Sequence, residues 1–124
     1  MNDLLVERVM RLVEAVPAGR ATTYGALASA VGALASAVGA GPRVVARILA
    51  EWGSGAPWWR VVNAKGELPG PLALRARPMW ALEGVPLFGS PGGAPRVDLP
   101  RASWAEAEIA AALDRVDASL ETSS

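Results

Sequence analysis

The stretch Gly41-Pro-Arg-Val-Val-Ala-Arg-Ile-Leu-Ala-Glu-Trp52 decides the fold of this chain. Pro42 suits the first turn of a helix, because its ring fixes φ and its missing N–H group would have no partner there. Beyond it the apolar side chains recur at helical spacing and mark one inward face, made of Val44, Val45, Ile48 and Leu49. We therefore predict a helix from Arg43 to Trp52, followed by a loop at Gly53–Pro57.

A second helix is predicted just before this one. Thr22 and Thr23 are N-cap candidates, and Tyr24 falls in the first turn. The seven residues Gly25–Val31 (GALASAV) then recur without change as Gly32–Val38. The repeat either lengthens the helix by two turns or bulges out as a loop, and the sequence leaves both open. Helix, glycine-rich turn and helix together form the outline of a helix-turn-helix.

Both ends of the chain also have helical patterns. Residues 3–16 predict a helix capped by Asp3 and stopped by Pro17. Its apolar face consists of Leu5, Val9, Leu12, Val13 and Val16. Near the other end, Ser103-Trp-Ala-Glu106 matches a capping box and predicts an alanine-rich helix that reaches about Leu120.

Between these helices, short extended pieces are predicted. Trp58–Val62 is an apolar run, residues 63–66 form a turn, and Glu67–Leu68 is a return strand. Pro78 interrupts a helix over residues 72–82, so that its firm part begins near Arg77. The remaining segments are predicted as irregular over residues 84–95 and extended over residues 96–99.

The composition excludes several kinds of chemistry. The 124 residues include no cysteine and no histidine, which excludes disulfides, thiolate nucleophiles, Cys/His zinc sites and histidine-based triads. We therefore expect neither a metal nor a cofactor. No apolar run reaches the roughly 18 residues of a membrane helix, and the acidic, amphipathic start does not resemble a signal peptide. A soluble cytoplasmic protein is expected.

The net charge is zero but unevenly distributed. Residues 1–80 carry nine Lys/Arg and five Asp/Glu, whereas residues 81–124 carry three and seven. A basic first part is a weak indication of nucleic-acid binding, and a neutral protein with an acidic tail explains the pattern equally well.

Four segments carry a resemblance to a known family, and Pro57-Trp-Trp-Arg-Val-Val-Asn63 is the most specific of them. In chain order they are Pro17–Gly25, Gly41–Leu49, Pro57–Asn63 and Leu82–Val85. They resemble the DNA-binding domain of the O6-alkylguanine-DNA alkyltransferases, and more closely their cysteine-less relatives, the alkyltransferase-like proteins. The resemblance implies a mainly α fold, with a winged-helix-like helix-turn-helix DNA-binding domain and a short β element. It covers about residues 3–104, so we expect a DNA-binding domain over residues 1–104 and a helical tail of unknown role over residues 105–124.

The resemblance places Trp58 where the transferases have their acceptor cysteine and Trp59 where they have the activating histidine. Glu83 corresponds to the carboxylate of their Cys-His relay. Alkyl transfer needs a thiolate made by a neighbouring base, and indoles supply neither, so no catalytic residue is expected. Instead, Trp58 is expected to contact a flipped O6-alkylguanine by stacking. Trp59, Asn63 and Tyr24 are expected to complete the lesion pocket, and the plainer alternative is that the tryptophans fill the core.

The resemblance also implies the DNA contacts. The helix that begins at Arg43 is expected to enter the minor groove, with this arginine inserted where the flipped base left the stack. Arg47 lies one turn further along and can reach phosphate. Tyr24 is expected to press on the phosphate beside the flipped nucleotide, with Thr23 next to it. Arg60 is either a further DNA contact or a structural residue of the motif.

Three features of the sequence depart from the family pattern, namely one residue, one loop and the repeated segment. Ala46 stands where the transferases commonly have glycine, and residues 68–71 differ from their Ser-Gly-Gly loop. The second GALASAV copy makes the distance from Tyr24 to Arg43 seven residues longer than expected, so a distorted turn would displace Arg43 and weaken DNA binding.

The expected function is non-enzymatic recognition of O6-alkylguanine in duplex DNA by minor-groove binding and base flipping. By resemblance, the marked lesion would pass to nucleotide excision repair proteins, and the protein would be nucleoid-associated, with no membrane partner. One alternative is a sequence-specific helix-turn-helix regulator of transcription, although no dimer seam is evident. Another is a carboxylate-based enzyme, which needs paired acids in a pocket, whereas the acids here cluster in the last helix.

Overall fold

Helices dominate the structure, a computed structural model that describes residues 3–32, 41–89 and 95–122. In chain order the elements are α1 (Asp3–Ala15), β1 (Thr22–Thr23), α2 (Tyr24–Val31), α3 (Pro42–Trp52), β2 (Val61–Val62), α4 (Gly70–Glu83), β3 (Leu87–Phe88), β4 (Arg96–Val97), α5 (Leu99–Ala102) and α6 (Glu106–Thr122). Two turns of 3-10 helix follow α3, over Gly53–Gly55 and Trp58–Arg60. The predicted mainly α class with a short β element is confirmed.

The first hydrophobic cluster forms around α1. All five residues of its predicted apolar face are buried, namely Leu5, Val9, Leu12, Val13 and Val16. Leu27 and Val31 of α2 belong to the same cluster, as do Val45 and Ile48 of α3. The apolar faces of both helix-turn-helix helices therefore pack against α1, and the opposite side of α3 is left exposed.

The starts of α2 and α3 follow from local capping. The Thr23 hydroxyl accepts a hydrogen bond of 3.0 Å from the backbone N–H of Ala26, as an N-cap does. Pro42 is the first residue of α3. α2 ends at Val31, where Gly32 takes a φ of 59° that residues with a Cβ rarely adopt. α2 therefore ends with the first GALASAV copy, and the two alternatives for the second copy concern residues 33–38, which lie outside the described residues.

Deleting Gly32–Val38 is expected to leave a folded protein. Gly39 would then follow Val31 directly and, as a glycine, could adopt the same positive φ at the end of α2. Thermal unfolding followed by circular dichroism would show a cooperative transition with a Tm within a few degrees of the parent. Loss of that transition would show that the second copy is integral to the core.

Two pairs of short strands form the β element. β1 lies parallel to β2, with Thr22 opposite Val61, which brings the start of α2 beside the turn that carries the two tryptophans. β3 and β4 pair antiparallel, so the segment expected to be irregular contains a strand. The return strand expected at Glu67–Leu68 is wrong. There the N–H of Asn63 donates to the Glu67 carbonyl and closes a turn, with no strand pairing.

α4 runs unbroken from Gly70 to Glu83, so the interruption expected at Pro78 is wrong. A proline inside a helix removes one hydrogen bond and costs about 3 kcal/mol. Burial of Ala73, Ala76 and Trp80 offsets this cost. They belong to a second hydrophobic cluster, which also contains Val62 and Val97. Pro78 and the residue four positions earlier are both exposed, so the carbonyl that lacks its donor can bond to water.

The predicted alanine-rich helix is confirmed as α6, but it begins at Glu106 and not at Trp104, the first position after a cap at Ser103, so the predicted cap is wrong. Ser103 pairs with Ala21 in a β-bridge, so long-range pairing takes the place of helix capping. α6 covers α1 through the buried residues Ile109, Ala112 and Val116, and Arg8 of α1 contacts Asp117 at 2.7 Å. The last helix therefore packs on the first cluster, and the division into residues 1–104 and 105–124 stays a prediction.

Candidate nucleic-acid interface

An open cavity of about 170 Å³ lies where α2, α3, α4 and the two 3-10 turns meet. This volume is below the roughly 300–1,000 Å³ of pockets for drug-sized ligands, so it suits a single flat ring system. Its lining consists of Tyr24, Ala46, Leu49, Ala50, Gly53, Ser54, Trp58, Leu72 and Arg75. The cavity thus combines an aromatic wall, small residues and one cation, which suits a flat and partly polar ligand.

Trp58 forms one wall of this cavity. Its indole is half-buried and packs against both hydrophobic clusters. The guanidinium carbon of Arg75 lies 5.4 Å from the ring centroid, which is a cation–π distance. Trp59 meets the ring edge-on, with centroids 5.7 Å apart and planes at 82°. Neighbours on two sides therefore hold the Trp58 ring in place beside an opening, where a base could stack on it.

Trp59 does not line the cavity and is instead fixed by hydrogen bonds. Its indole N–H donates to Glu83 Oε2 at 3.1 Å, and its backbone carbonyl accepts from the indole of Trp80 at 2.8 Å. An indole nitrogen can donate a proton but cannot accept one, so this side chain cannot act as a base. Trp59 orients Trp58, and its predicted place in the lesion pocket stays a prediction.

Glu83 is the centre of a partly buried network. Arg60 Nε lies 3.0 and 3.2 Å from its two carboxylate oxygens, and the Gly19 N–H donates to it at 3.3 Å. Burial alone would raise the pKa of Glu83, but hydrogen bonds from these donors and from Trp59, with the positive charge of Arg60, lower it below the ordinary value of 4.5. The network connects the end of α4 to the loop after α1 and to the 3-10 turn Trp58–Arg60, called here the tryptophan turn.

Arg60 has a structural task in this network. Its side chain is only 16% exposed, and Nη1 donates to the Val16 carbonyl at 2.8 Å while Nη2 also contacts Glu83. An arginine that binds phosphate must present its N–H groups to solvent, whereas these groups are directed inward. Arg60 is therefore placed to hold the tryptophan turn, and its predicted DNA contact stays a prediction that this geometry disfavours.

The predicted DNA contacts Arg43 and Arg47 lie on one exposed stripe of α3. Together with Ala46 and Ala50 they recur at the spacing of one helical face. The two alanines line the cavity, and both arginines are exposed. Two cations therefore lie beside the cavity that Trp58 lines. This arrangement suits a base that is still attached to a phosphate backbone.

Thr23 and Tyr24 lie at the start of α2, Thr23 as its N-cap and Tyr24 as its first residue. Tyr24 lines the cavity, and burial raises the pKa of its phenol, so the hydroxyl stays protonated at neutral pH and can donate a hydrogen bond. The Thr23 hydroxyl already accepts the capping hydrogen bond and keeps its proton to donate. Tyr24 is thus brought together with Trp58, as the lesion-pocket prediction requires.

Asn63 is not brought to the cavity. Its side-chain oxygen accepts hydrogen bonds from the backbone N–H groups of Lys65 and Glu67, at 2.9 and 2.8 Å. These bonds shape the turn after β2, and the residue is exposed. Its role in a lesion pocket stays a prediction.

Sequence reasoning missed Leu72 and Arg75, the two cavity residues that α4 contributes. They lie three residues apart and so share a helical face, which was the available signal. The signal was hidden because Pro78 suggested that the helix began after both of them.

The described residues contain no group of three or more His, Cys, Asp or Glu side chains that could hold a metal ion. Nor does any helix among them have the length and apolar character needed to span a membrane.

Comparison with known proteins agrees with these observations. Residues 5–85 match the family model of the 6-O-methylguanine DNA methyltransferase DNA-binding domain. The chain is 39% identical over 105 residues to the DNA base-flipping protein of Escherichia coli strain K12, covering 83% of this chain and 76% of that protein. The DNA base-flipping protein of Shigella flexneri gives the same values.

Two solved structures have the same fold, which confirms the helix-turn-helix class. They are S. pombe Atl1 in complex with damaged DNA containing O6-carboxymethylguanine, at 24% identity, and S. pombe ATL in complex with DNA, at 23%. Each has a TM-score of 0.68 and covers 85% of this chain and 98% of the other. The family model over residues 5–85 and the 39% identical relatives assign the chain: it belongs to the 6-O-methylguanine DNA methyltransferase DNA-binding family, as an alkyltransferase-like protein.

Proposed function

We propose that this protein recognises O6-alkylguanine in duplex DNA by flipping the base out of the helix, and that it holds the base without repairing it. The observation that carries the proposal is the position of Trp58. Its half-buried ring walls a cavity of single-base size, beside the exposed arginines of α3. Two similar proteins, a DNA base-flipping protein and a protein in complex with damaged DNA, support the same function.

The cavity would hold the flipped base mainly by stacking. Base–aromatic stacking contributes roughly 1–3 kcal/mol, and the alkyl group adds apolar surface that leaves water. Arg75, which lies over the Trp58 ring, would then face the base or its O6 substituent. Flipping costs a few kcal/mol, and less at a damaged pair, so stacking is of the right size to favour the lesion.

The chain would leave the alkyl group on the DNA. Transfer needs a thiolate and a base that takes its proton, and the sequence contains no cysteine and no histidine. Glu83 keeps its lowered pKa through Arg60 and Trp59, so it is an ionised structural group at neutral pH. Incubation with DNA carrying a radiolabelled methyl group on guanine O6 would leave the protein unlabelled.

α3 would enter the minor groove, with Arg43 filling the gap left by the flipped base and Arg47 on phosphate. An arginine is planar and always charged, so it can stack in the gap and bond to the orphaned partner base. Bending the DNA toward the major groove would let more of the protein contact it. By family resemblance, nucleotide excision repair proteins would then act on the marked lesion, in the cytoplasm at the nucleoid.

A gel shift tests the proposal, with one duplex carrying either guanine or O6-methylguanine at one position, run at two salt concentrations. We expect tighter binding to the methylated duplex at both concentrations and weaker binding to both duplexes in high salt. Equal affinity for the two duplexes would contradict lesion recognition. Strong dependence on the surrounding sequence, with indifference to the methyl group, would indicate a transcription regulator instead.

Replacing Arg43 with alanine is expected to weaken binding to the methylated duplex about tenfold, since one inserted cation is lost. Arg115→Ala is the matched control, because it removes the same charge from an exposed position on α6. Affinities measured by fluorescence anisotropy compare the two variants. If Arg43→Ala binds no worse than Arg115→Ala, Arg43 does not fill the gap.

A further inference from the structure

A groove of about 650 Å³ lies between α2 and α6, apart from the cavity beside Trp58. Its floor is apolar. Ala26 and Ala30 contribute from α2, and the buried Ile109 and half-buried Leu113 from α6. Small side chains on α2 let another backbone approach closely, so the groove has the shape of a site for a third helix laid against two.

The charges along the groove are all negative. Glu106 and Asp114 of α6 line it and are exposed, and no Lys or Arg is among its described lining residues. They lie eight residues apart on α6, which is about 12 Å along the helix axis. An acidic groove repels the phosphates of nucleic acid, so the occupant is not DNA.

We propose that this groove binds a basic amphipathic helix of a partner protein. The partner would lay small apolar residues on the floor and place two cations, about seven or eight residues apart, against Glu106 and Asp114. Thr23 lines one end of the groove and is also a predicted DNA contact, so the bound partner would lie beside the DNA. A partner helix could bind in the groove without any change in the cavity beside Trp58.

The probe is a synthetic helical peptide of about 18 residues. One face of the peptide consists of alanine and leucine, and two arginines about seven residues apart flank this face. A second peptide has glutamate in place of each arginine. Fluorescence anisotropy with the full chain is expected to show saturable binding of the arginine peptide, weakened by salt, and at least fivefold weaker binding of the glutamate peptide. Absence of saturable binding, or equal binding of both peptides, would overturn the proposal.

Substitutions locate the site. Glu106→Gln/Asp114→Asn is expected to weaken peptide binding about fivefold, whereas Glu51→Gln/Glu67→Gln, which removes two exposed charges elsewhere, leaves it unchanged. Ala110→Arg, which adds a cation to the groove lining, is also expected to weaken peptide binding. This variant leaves Glu106 at the start of α6 unchanged, so its effect cannot come from a weakened helix N-terminus. Circular dichroism and affinity for methylated duplex should match the parent in all three variants.

Two further results would contradict binding of a partner helix in the groove. Equal loss of peptide binding in the control double variant would mean that net charge alone attracts the peptide. A concentration-dependent dimer in sedimentation, abolished by Ala110→Arg, would mean that a second copy of this chain fills the groove. Either result would overturn binding of a partner helix.

Discussion

Replacing Trp58 with alanine is expected to lower the preference for O6-methylguanine over guanine by about 2 kcal/mol, or some thirtyfold. The indole provides the aromatic wall of the cavity and the surface over which Arg75 lies. Alanine would leave a wider, wetter cavity, so a flipped base would lose its stacking partner. The measurement is the ratio of the dissociation constants of the two duplexes.

Trp52→Ala is the matched control for this change. Trp52 lies at the end of α3, is 59% exposed and does not line the cavity. It is expected to keep the parent's ratio. If Trp58→Ala weakened binding to both duplexes equally, the residue would support the fold or general DNA binding, and the lesion would be recognised elsewhere.

Glu83→Gln is expected to lower the free energy of unfolding at about pH 7 by roughly 1.5–3 kcal/mol, the range for hydrogen bonds to charged groups. The carboxylate is 8% exposed and accepts from Arg60, Trp59 and the Gly19 backbone. The amide cannot satisfy all these donors, and it leaves the positive charge of Arg60 without its partner. Urea denaturation gives the size of the loss, with Glu67→Gln as an exposed control.

The effect of Glu83 should depend on pH in one direction. Its folded pKa is lowered, so its stabilising contribution is complete above the ordinary value of 4.5 and is lost as pH falls through the folded pKa. The stability difference between the parent and Glu83→Gln should therefore narrow when urea denaturation is repeated below that value. A difference that stayed constant down to about pH 3 would show that ionisation of Glu83 does not contribute.

The helix-turn-helix could be predicted because its signals are local. Thr23 caps α2, Pro42 starts α3, and the spacing of Val45 and Ile48 gives the buried face without knowledge of any distant residue. The Pro78 helix could not be predicted in the same way. Its continuity depends on burial of Trp80 in a cluster formed by residues distant in the chain. Likewise, the β-bridge of Ser103 to Ala21 overrides a sound local capping signal.

The candidate site shows the same division between local and distant signals. Trp58 and Tyr24 were found because each stands in a short motif, and the structure brings both to one cavity. Arg75 stands in no motif and reaches Trp58 only because α4 docks across the tryptophan turn. Trp59 does not line this cavity, and its indole bonds to Glu83, 24 residues away in the chain, so its place in the lesion pocket stays a prediction.

The hydrogen bond between Trp59 and Glu83 also bears on how alkyl-transfer chemistry could be introduced into this chain. A cysteine at position 58 alone would lie beside an indole that accepts no proton, so its thiol would remain mostly protonated and would be a weak nucleophile. A histidine at position 59, by contrast, would find the orienting carboxylate already in place. Thiolate chemistry would therefore need both substitutions, at positions 58 and 59, with Glu83 already present, and neither substitution alone would supply it.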